Sequence, residues 1–297
     1  MSLQAFSTCG LSRSQATNNE YNTNSQPPSL IGYVPQEIIT EVFKFLSPEE
    51  LAKACRVCRK WNEVGSKQSL WNAFDLKKLF PALKILDEKT WQKYADLSAL
   101  GLSVDDATPP DNRKIIPDLK RLFASLEIEE DAGITFLTIP QGLSVKKLGM
   151  FAQSPKEGNP TCFGNLFFPN VTDKFGNSVV DATYRIAITN SILKRSRNLS
   201  MTTQQNLVNE TGCEMPKLLE VSTLAILTYI SSSKSSPVCL YGDRPYPSSI
   251  YTQCPERVDG VDGGFHLVVG GFSQDYGLDV SINRRSDTSG VGAVRKF

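Results

Sequence analysis

Apolar residues between positions 34 and 74 recur at helical spacing and predict three short helices followed by the stub of a fourth. Pro35 suits the first turn of the first helix, because its missing N–H would have no partner there. Ser47 and Glu50 match a capping box with Pro48 at the first helical position, which predicts where the second helix begins. The first predicted helix is apolar on more than one side.

A unit of about 40 residues buries only a modest fraction of its surface, so it is marginal as an independent fold. One apolar side of its first helix can form the internal core. The other side needs a second partner, which is either the rest of this chain or another protein.

The remaining pattern predicts a helical connector followed by an α+β domain. Residues 75–96 are predicted to form two short helices divided near Asp87, which can cap the second of them. From Gly133 the period of the apolar residues changes towards two, as in strands. A buried helix is predicted over residues 216–230. Strands are predicted at residues 134–139, 162–168, 183–189, 238–241, 249–252, 266–269 and 278–282. Short strands around a buried helix indicate an α+β fold with a mostly antiparallel sheet.

The N-terminal helical stretch resembles an F-box, the motif that docks Skp1-type adaptor subunits in cullin-RING ubiquitin ligases. Val34 stands where the family usually has leucine. The other matching positions keep the family spacing without gaps: Pro35 with Glu37-Ile38, Val42-Phe43-x-Phe45-Leu46, Ser47-Pro48-x-x-Leu51, Val57-Cys58-x-x-Trp61 and Leu70-Trp71.

The resemblance implies a non-catalytic ligase subunit that brings a target protein of unknown identity to an adaptor and a cullin. The residues that it implies for adaptor binding are Val34, Pro35, Ile38, Leu51, Val57 and Cys58. Phe43, Trp61 and Trp71 are expected to hold the unit together.

The predicted organisation has four segments. A disordered leader covers residues 1–29, an F-box-like domain residues 30–74, a helical connector residues 75–100, and a target-recognition domain residues 101–297. No repeat of 20–50 residues is evident, which counts against leucine-rich, WD40 or kelch target-binding domains.

The C-terminal stretch is also similar to F-box-like proteins of amoeba-dwelling chlamydia-like bacteria. This second resemblance rests on Tyr251-Thr252-x-Cys254, on the run HLVVGGFS and on the ending GVGAVRKF. It implies an effector that acts in the cytoplasm of a eukaryotic host.

Net charge, the length of apolar runs and cysteine usage limit the kinds of partner and the compartment that we expect. The formal net charge of the 297-residue chain is +1, and no predicted helix has a broad basic face, so no nucleic-acid partner is expected. No apolar run approaches the roughly 18 residues of a membrane span. Seven cysteines without a disulfide-like framework favour a reducing compartment.

Two cysteine arrangements suggest chemistry. Cys55 and Cys58 have C-x-x-C spacing, but one pair supplies half of a tetrahedral metal site, so neither a metal nor a cofactor is predicted. The alternative function is a cysteine-hydrolase-like enzyme domain delivered to the ligase by the F-box. It would use the single histidine, His266, with a nucleophile such as Cys162, Cys239 or Cys254 and an orienting Asp279.

Overall fold

The computed structural model describes residues 34–104, 111–128, 133–161, 163–164, 169–232, 251–258, 265–273, 277–282 and 289–297. The predicted leader over residues 1–29 and the predicted strand over residues 238–241 lie outside these ranges.

Helices dominate the first part of the chain. The helices of the described residues are α1 (Gln36–Phe43), α2 (Pro48–Ala54), α3 (Arg59–Gly65), α4 (Gln68–Asn72), α5 (Leu76–Leu79), α6 (Glu88–Tyr94), α7 (Leu97–Leu100), α8 (Asn112–Ser125), α9 (Val145–Gln153), α10 (Pro169–Phe175), α11 (Met201–Glu210) and α12 (Leu218–Ser231). Helices α1 to α4 form the N-terminal helical unit and match the predicted three helices and stub.

The strands form two sheets. They are β1 (Leu83–Leu86), β2 (Ile134–Ile139), β3 (Phe163–Gly164), β4 (Tyr184–Thr189), β5 (Tyr251–Val258), β6 (Phe265–Ser273), β7 (Gly277–Ile282), β8 (Ser289–Gly290) and β9 (Val294–Lys296). A four-stranded sheet has the order β1-β2-β4-β9, and a five-stranded sheet has the order β3-β7-β6-β5-β8. The longer pairings, β2 with β4 and β6 with β5 and β7, are antiparallel, so the α+β prediction is confirmed.

The four-stranded sheet is buried on both faces, because each face adjoins a separate hydrophobic core. Along β4, Ile186 and Ile188 point into one core and Ala187 points into the other. We call the core that contains Ala187 the shared core, since it joins the N-terminal helical unit, α8 and α11 to the sheet. We call the core that contains Ile186 the central core; it includes α9 and α12.

Helix α12 lies between the two sheets and is the predicted buried helix. It contacts β2 of the four-stranded sheet and β5, β6 and β7 of the five-stranded sheet. Every residue from position 220 to position 230 is buried. A helix that is apolar on all sides needs partners on all sides, and the two sheets supply them.

The first predicted helix of the connector is wrong in its second half, which is strand β1. Phe80 precedes Pro81 and leaves the helical region, as residues before proline tend to do. The chain then pairs with β2 in parallel, with Leu83 opposite Ile134. Four apolar-rich residues have no decisive period, so the sequence could not separate a strand from a helix here.

The second half of the connector folds as predicted. Helix α6 begins after Asp87, whose carboxylate accepts a hydrogen bond from the N–H of Thr90 at 3.1 Å. Within the described ranges, no helix is both long and apolar enough to cross a membrane.

Strand β1 places Lys84 on the same side as Leu86, which belongs to the central core. Burial lowers the pKa of Lys84 to about 8. Since the unfolded chain binds this proton more tightly, the charged lysine destabilises the fold below pH 8, and stability rises between about pH 8 and pH 10.5.

We therefore expect Lys84→Met to raise the midpoint of urea denaturation at pH 7, and its advantage over the wild type to shrink towards pH 10.5. The matched control is Lys89→Met on α6, where the lysine is exposed and the substitution should leave the midpoint unchanged. An advantage that stays constant across this pH range would contradict the burial of an unpaired ammonium group at position 84.

Candidate functional site

Helix α1 is apolar on two neighbouring sides. Ile39 and Phe43, four residues apart, are buried in the shared core. Ile38 and Val42 have the same spacing on the other side, yet 53% and 54% of their side-chain surfaces are exposed. The chain therefore covers one side of the helix and leaves the other in water.

The exposed side continues beyond both ends of α1. Pro35 precedes Ile38 by three residues and is exposed. Phe45 follows Val42 by three residues, its N–H bonds to the Val42 carbonyl at 3.2 Å, and 88% of its surface is exposed. Pro35, Ile38, Val42 and Phe45 thus lie at helical spacing on one side, and we call them the outer stripe.

The inner side is fixed by aromatic packing. The rings of Phe43 and Trp61 meet edge to face, with centroids 5.4 Å apart. The indole N–H of Trp71 donates to the carbonyl of Gly65 at 2.7 Å. These contacts give Phe43, Trp61 and Trp71 the internal role that the sequence predicted.

The second helix begins as predicted. The Ser47 hydroxyl accepts from the N–H of Glu50 at 3.3 Å, and the Glu50 carboxylate accepts from the N–H of Ser47 at 2.8 Å. These hydrogen bonds hold the pKa of Glu50 below its usual value. The capping box fixes the turn that follows Phe45.

The cysteines at positions 55 and 58 are free and half-buried. A Cβ added at Gly65 would approach the Cys55 sulfur to 2.5 Å, so α3 packs closely against the end of α2. Burial raises the pKa of Cys55, which opposes thiolate formation. In the part of the chain that the structure describes, no group of three His, Cys, Asp or Glu residues could hold a metal ion.

The predicted adaptor-binding residues fall into three groups. Pro35, Ile38 and Val57 are exposed, and Val34 and Cys58 are half-buried. Leu51 needs a correction, because its side chain is fully buried in the shared core and has no surface to offer a partner. Its match to the motif reflects a packing requirement of the unit itself.

Sequence reasoning did not assign Val42 and Phe45 to the contact surface. Both were present in the matched run, and both follow Ile38 at helical spacing. That spacing was the available signal. The spacing alone does not show whether Val42 and Phe45 are buried or exposed, because the sequence does not distinguish an apolar residue that faces a core from one that faces water.

The unit is attached to α8 by polar contacts as well as by the shared core. The side-chain amide of Asn112 donates to the carbonyls of Trp71 and Phe74 at 3.2 and 3.3 Å, which links α8 to the last turn of α4 and the residues that follow it. Lys120 of α8 forms an ion pair with Glu49 of α2. The pair is half exposed and contributes little to stability.

The proposed catalytic group around His266 does not form among the described residues. The Arg257 side chain donates to Nε2 of His266 at 2.9 Å, which occupies the nitrogen that a base would use. Burial, assisted by the charge of Arg257, lowers the pKa of His266.

The other candidate members are also poorly placed. Asp279 pairs with Gly270, four residues from His266 along β6, which is roughly 13 Å at the usual rise of a strand. Asp279 instead accepts a hydrogen bond from the Tyr251 hydroxyl at 2.9 Å. Cys254 is fully buried, which raises the pKa of its thiol. Cys162 and Cys239 lie outside the described residues.

Comparison with known proteins agrees with this geometry. The F-box-like family model matches residues 31–77. F-box/LRR-repeat protein 5 of Danio rerio is 37% identical over 41 residues, a match that covers 14% of this chain and 6% of that protein. No solved structure matches the chain.

The burial of Leu51 and the exposure of Ile38 predict opposite behaviour on truncation. Leu51→Ala should lower the free energy of unfolding by about 2–5 kcal/mol, because it leaves a cavity in the shared core. Ile38→Ala should change it by no more than about 0.5 kcal/mol. Urea denaturation of both variants measures the difference, and equal losses would contradict the burial of Leu51 on α2 or the exposure of Ile38 on α1.

Proposed function

We propose that this chain, which carries an F-box-like domain at residues 31–77, is the substrate-recruiting subunit of a Skp1–cullin–F-box type ubiquitin ligase. In this proposal the N-terminal helical unit binds a Skp1-type adaptor, and the residues after about position 100 bind the target. The single observation that carries the proposal is the outer stripe, which stays exposed although the rest of the unit is packed.

Contact of the outer stripe with water is unfavourable in free energy, and a partner that covers the stripe would remove this contact. Four of the seven large hydrophobic side chains that are exposed among the described residues lie between positions 38 and 57. Such a concentration is typical of a protein–protein contact, whereas single exposed apolar residues are common on any surface. Complete burial of Phe45 contributes roughly 1.5–3 kcal/mol, and burial of the half-exposed Ile38 and Val42 contributes roughly half of that each.

The contact surface that we propose differs from the sequence prediction in three residues. Pro35, Ile38 and Val57 remain in it, with Val34 and Cys58 at its half-buried margin. Val42 and Phe45 are added because they share the exposed side of α1. Leu51 is removed because the unit buries it.

In this role the chain performs no chemistry and acts by proximity. The adaptor connects it to a cullin, and the bound target is held near the ubiquitin-transferring subunit at a high effective concentration. The contacts of α8 with the N-terminal helical unit support this role, since a firm attachment keeps the distance between adaptor and target constant.

The enzyme alternative lacks a comparable observation. Asp279 lies away from His266 along the sheet, and the thiol of Cys254 is fully buried, which raises its pKa and opposes thiolate formation. The resemblance of the C-terminal stretch to bacterial F-box-like proteins supports the further proposal that the chain works in the cytoplasm of a eukaryotic host, where adaptor and cullin are present.

The proposal predicts that charge on the outer stripe abolishes adaptor binding without unfolding the chain. The double variant Ile38→Asp/Phe45→Asp should weaken the Kd for a purified Skp1-type adaptor at least a hundredfold. Two side chains each lose about 1.4 kcal/mol or more, and each 1.4 kcal/mol is a factor of ten. Isothermal titration calorimetry with the full chain measures the Kd.

The matched control is Met150→Asp, which also changes an exposed apolar residue on a helix but lies outside the N-terminal helical unit. It should bind the adaptor as the wild type does. If the double variant keeps both its unfolding temperature and its affinity, the outer stripe is not the adaptor surface.

A further inference from the structure

A cleft of about 530 Å³ opens where the N-terminus of α12 meets the sheets. Tyr184 at the start of β4, Glu256 of β5 and Lys296 of β9 line it from the strands. Lys217 and Leu218 line it from the start of α12. The volume lies in the range of sites that hold a small molecule or a single side chain with its flanking backbone.

One wall of the cleft is apolar. It consists of side chains from α9, the end of α10, the following loop and α12, namely Val145, Phe175, Val179, Val180, Leu218 and Leu219. Val179 is 54% exposed, so part of this wall is in contact with water when the cleft is empty. An aliphatic segment can therefore lie along the wall and remove apolar surface from water.

Opposite polar groups include a carboxylate with capacity to spare. Both oxygens of Glu256 accept from the single backbone N–H of Leu218, at 3.1 and 3.2 Å. A carboxylate has about four acceptor positions, so further donors can be accommodated. No lysine or arginine of the described ranges forms an ion pair with Glu256.

A strand irregularity directs Glu256 to this position. The register of β5 against β6 shifts between Gln253 and Arg257, where four steps on β5 correspond to two on β6. Pro255 lies in the shifted segment and has no N–H for the ladder. Such bulges re-aim side chains, and they are over-represented next to functional sites.

A second carboxylate makes the site electronegative. Glu220 is fully buried, and it accepts from the Tyr184 hydroxyl at 3.1 Å and from the N–H of Lys217 at 2.8 Å. Burial raises the pKa of Glu256, and the charge of Glu220 adds to this effect. A cation that entered beside Glu256 would relieve both penalties.

Neither lysine of the cleft forms an ion pair with Glu256 in the described residues. Lys296 forms an ion pair with Glu214 at 2.8 Å, and its ammonium lies 3.9 Å from Glu220, so its charge is shared between these two groups. Lys217 is exposed. The carboxylates that line the cleft are Asp181 and Glu256, and the buried Glu220 lies beside Glu256, while Lys296 is already paired with Glu214 outside the lining.

We infer that this cleft binds the protonated side chain of a lysine or arginine presented by another polypeptide, with Glu256 on the charged end and the apolar wall on the aliphatic stem. Long cationic side chains combine these two properties.

The cleft and the outer stripe belong to different cores. Tyr184 packs against the central core, whereas α1 packs against the shared core on the other face of the four-stranded sheet. Both surfaces can therefore be occupied together. Cation binding by the cleft stands on its own geometry, and only its use for target recognition rests on the proposed function.

The test uses the full chain and peptides that differ in one group. Saturation-transfer NMR titration compares an acetylated, amidated Ala-Lys-Ala peptide with the same peptide carrying neutral norleucine. We expect the lysine peptide to bind at least about tenfold more tightly, since hydrogen bonds to charged groups contribute about 1.5–3 kcal/mol and 1.4 kcal/mol is tenfold. Equal affinities, or no binding of either peptide at 20 mM, would overturn the inference.

Single-residue variants test whether Glu256 is responsible for the preference for the lysine peptide. Glu256→Gln keeps an acceptor for the Leu218 N–H but removes the charge, and it should abolish the preference for lysine. Glu210→Gln on α11 is the matched control, because this exposed glutamate does not line the cleft, and it should keep the preference. Should Glu256→Gln fail to fold, Val179→Lys places a competing ammonium at an exposed position of the wall and should weaken lysine binding at least about fivefold by like-charge repulsion.

A third titration, with n-butylammonium, tests whether the cleft binds a polypeptide side chain or any small amine. If n-butylammonium binds as tightly as the lysine peptide, the cleft is a site for small cations and the polypeptide assignment is wrong. Adaptor affinity is measured on the same Glu256→Gln protein and should be unchanged, so failure of the cleft inference and failure of the adaptor proposal give different results.

Discussion

The structure depends on the shared core, in which the N-terminal helical unit completes its packing against the rest of the chain. Four short helices cannot bury enough apolar surface by themselves. Leu70 and Trp71 of α4 meet α8, and the same core reaches Phe136 and Ala187 of the four-stranded sheet. This packing uses the inner side of α1 completely. The outer stripe is what remains once the chain's own residues are in place.

The four-stranded sheet separates the shared core from the central core. Its strands alternate so that Phe136 faces the shared core and Leu137 faces the central core. Helix α12 fills the second side between the sheets, and its N-terminus opens into the cleft at Tyr184 and Glu256. The proposed adaptor surface and the proposed cation cleft therefore adjoin opposite faces of one sheet.

The sequence predicted the features that depend on residues close together in the chain, and it did not predict those that depend on contacts between distant residues. The capping box of Ser47 and Glu50 spans four residues, so its chemistry is complete in the sequence and appears in the structure. Strand β1 depends on pairing with β2, about 50 residues away, and its own period is undecided. The burial of Leu51 likewise depends on tertiary packing. The cleft draws Tyr184, Lys217 and Glu256 from three distant segments, and no spacing in the chain links them.

The same contacts that attach the N-terminal helical unit to the rest of the chain also leave its outer stripe exposed. Because Asn112 ties the end of α4 to α8 and the shared core continues into the sheet, the helical unit has little freedom to rotate and hide its outer side. A freely hinged unit could fold its exposed apolar residues against the domain, which would reduce their contact with water. The attachment of the unit to α8 opposes such a rearrangement. Among the described residues, the apolar area of Ile38, Val42 and Phe45 is exposed, and in the proposed role it is available for a partner.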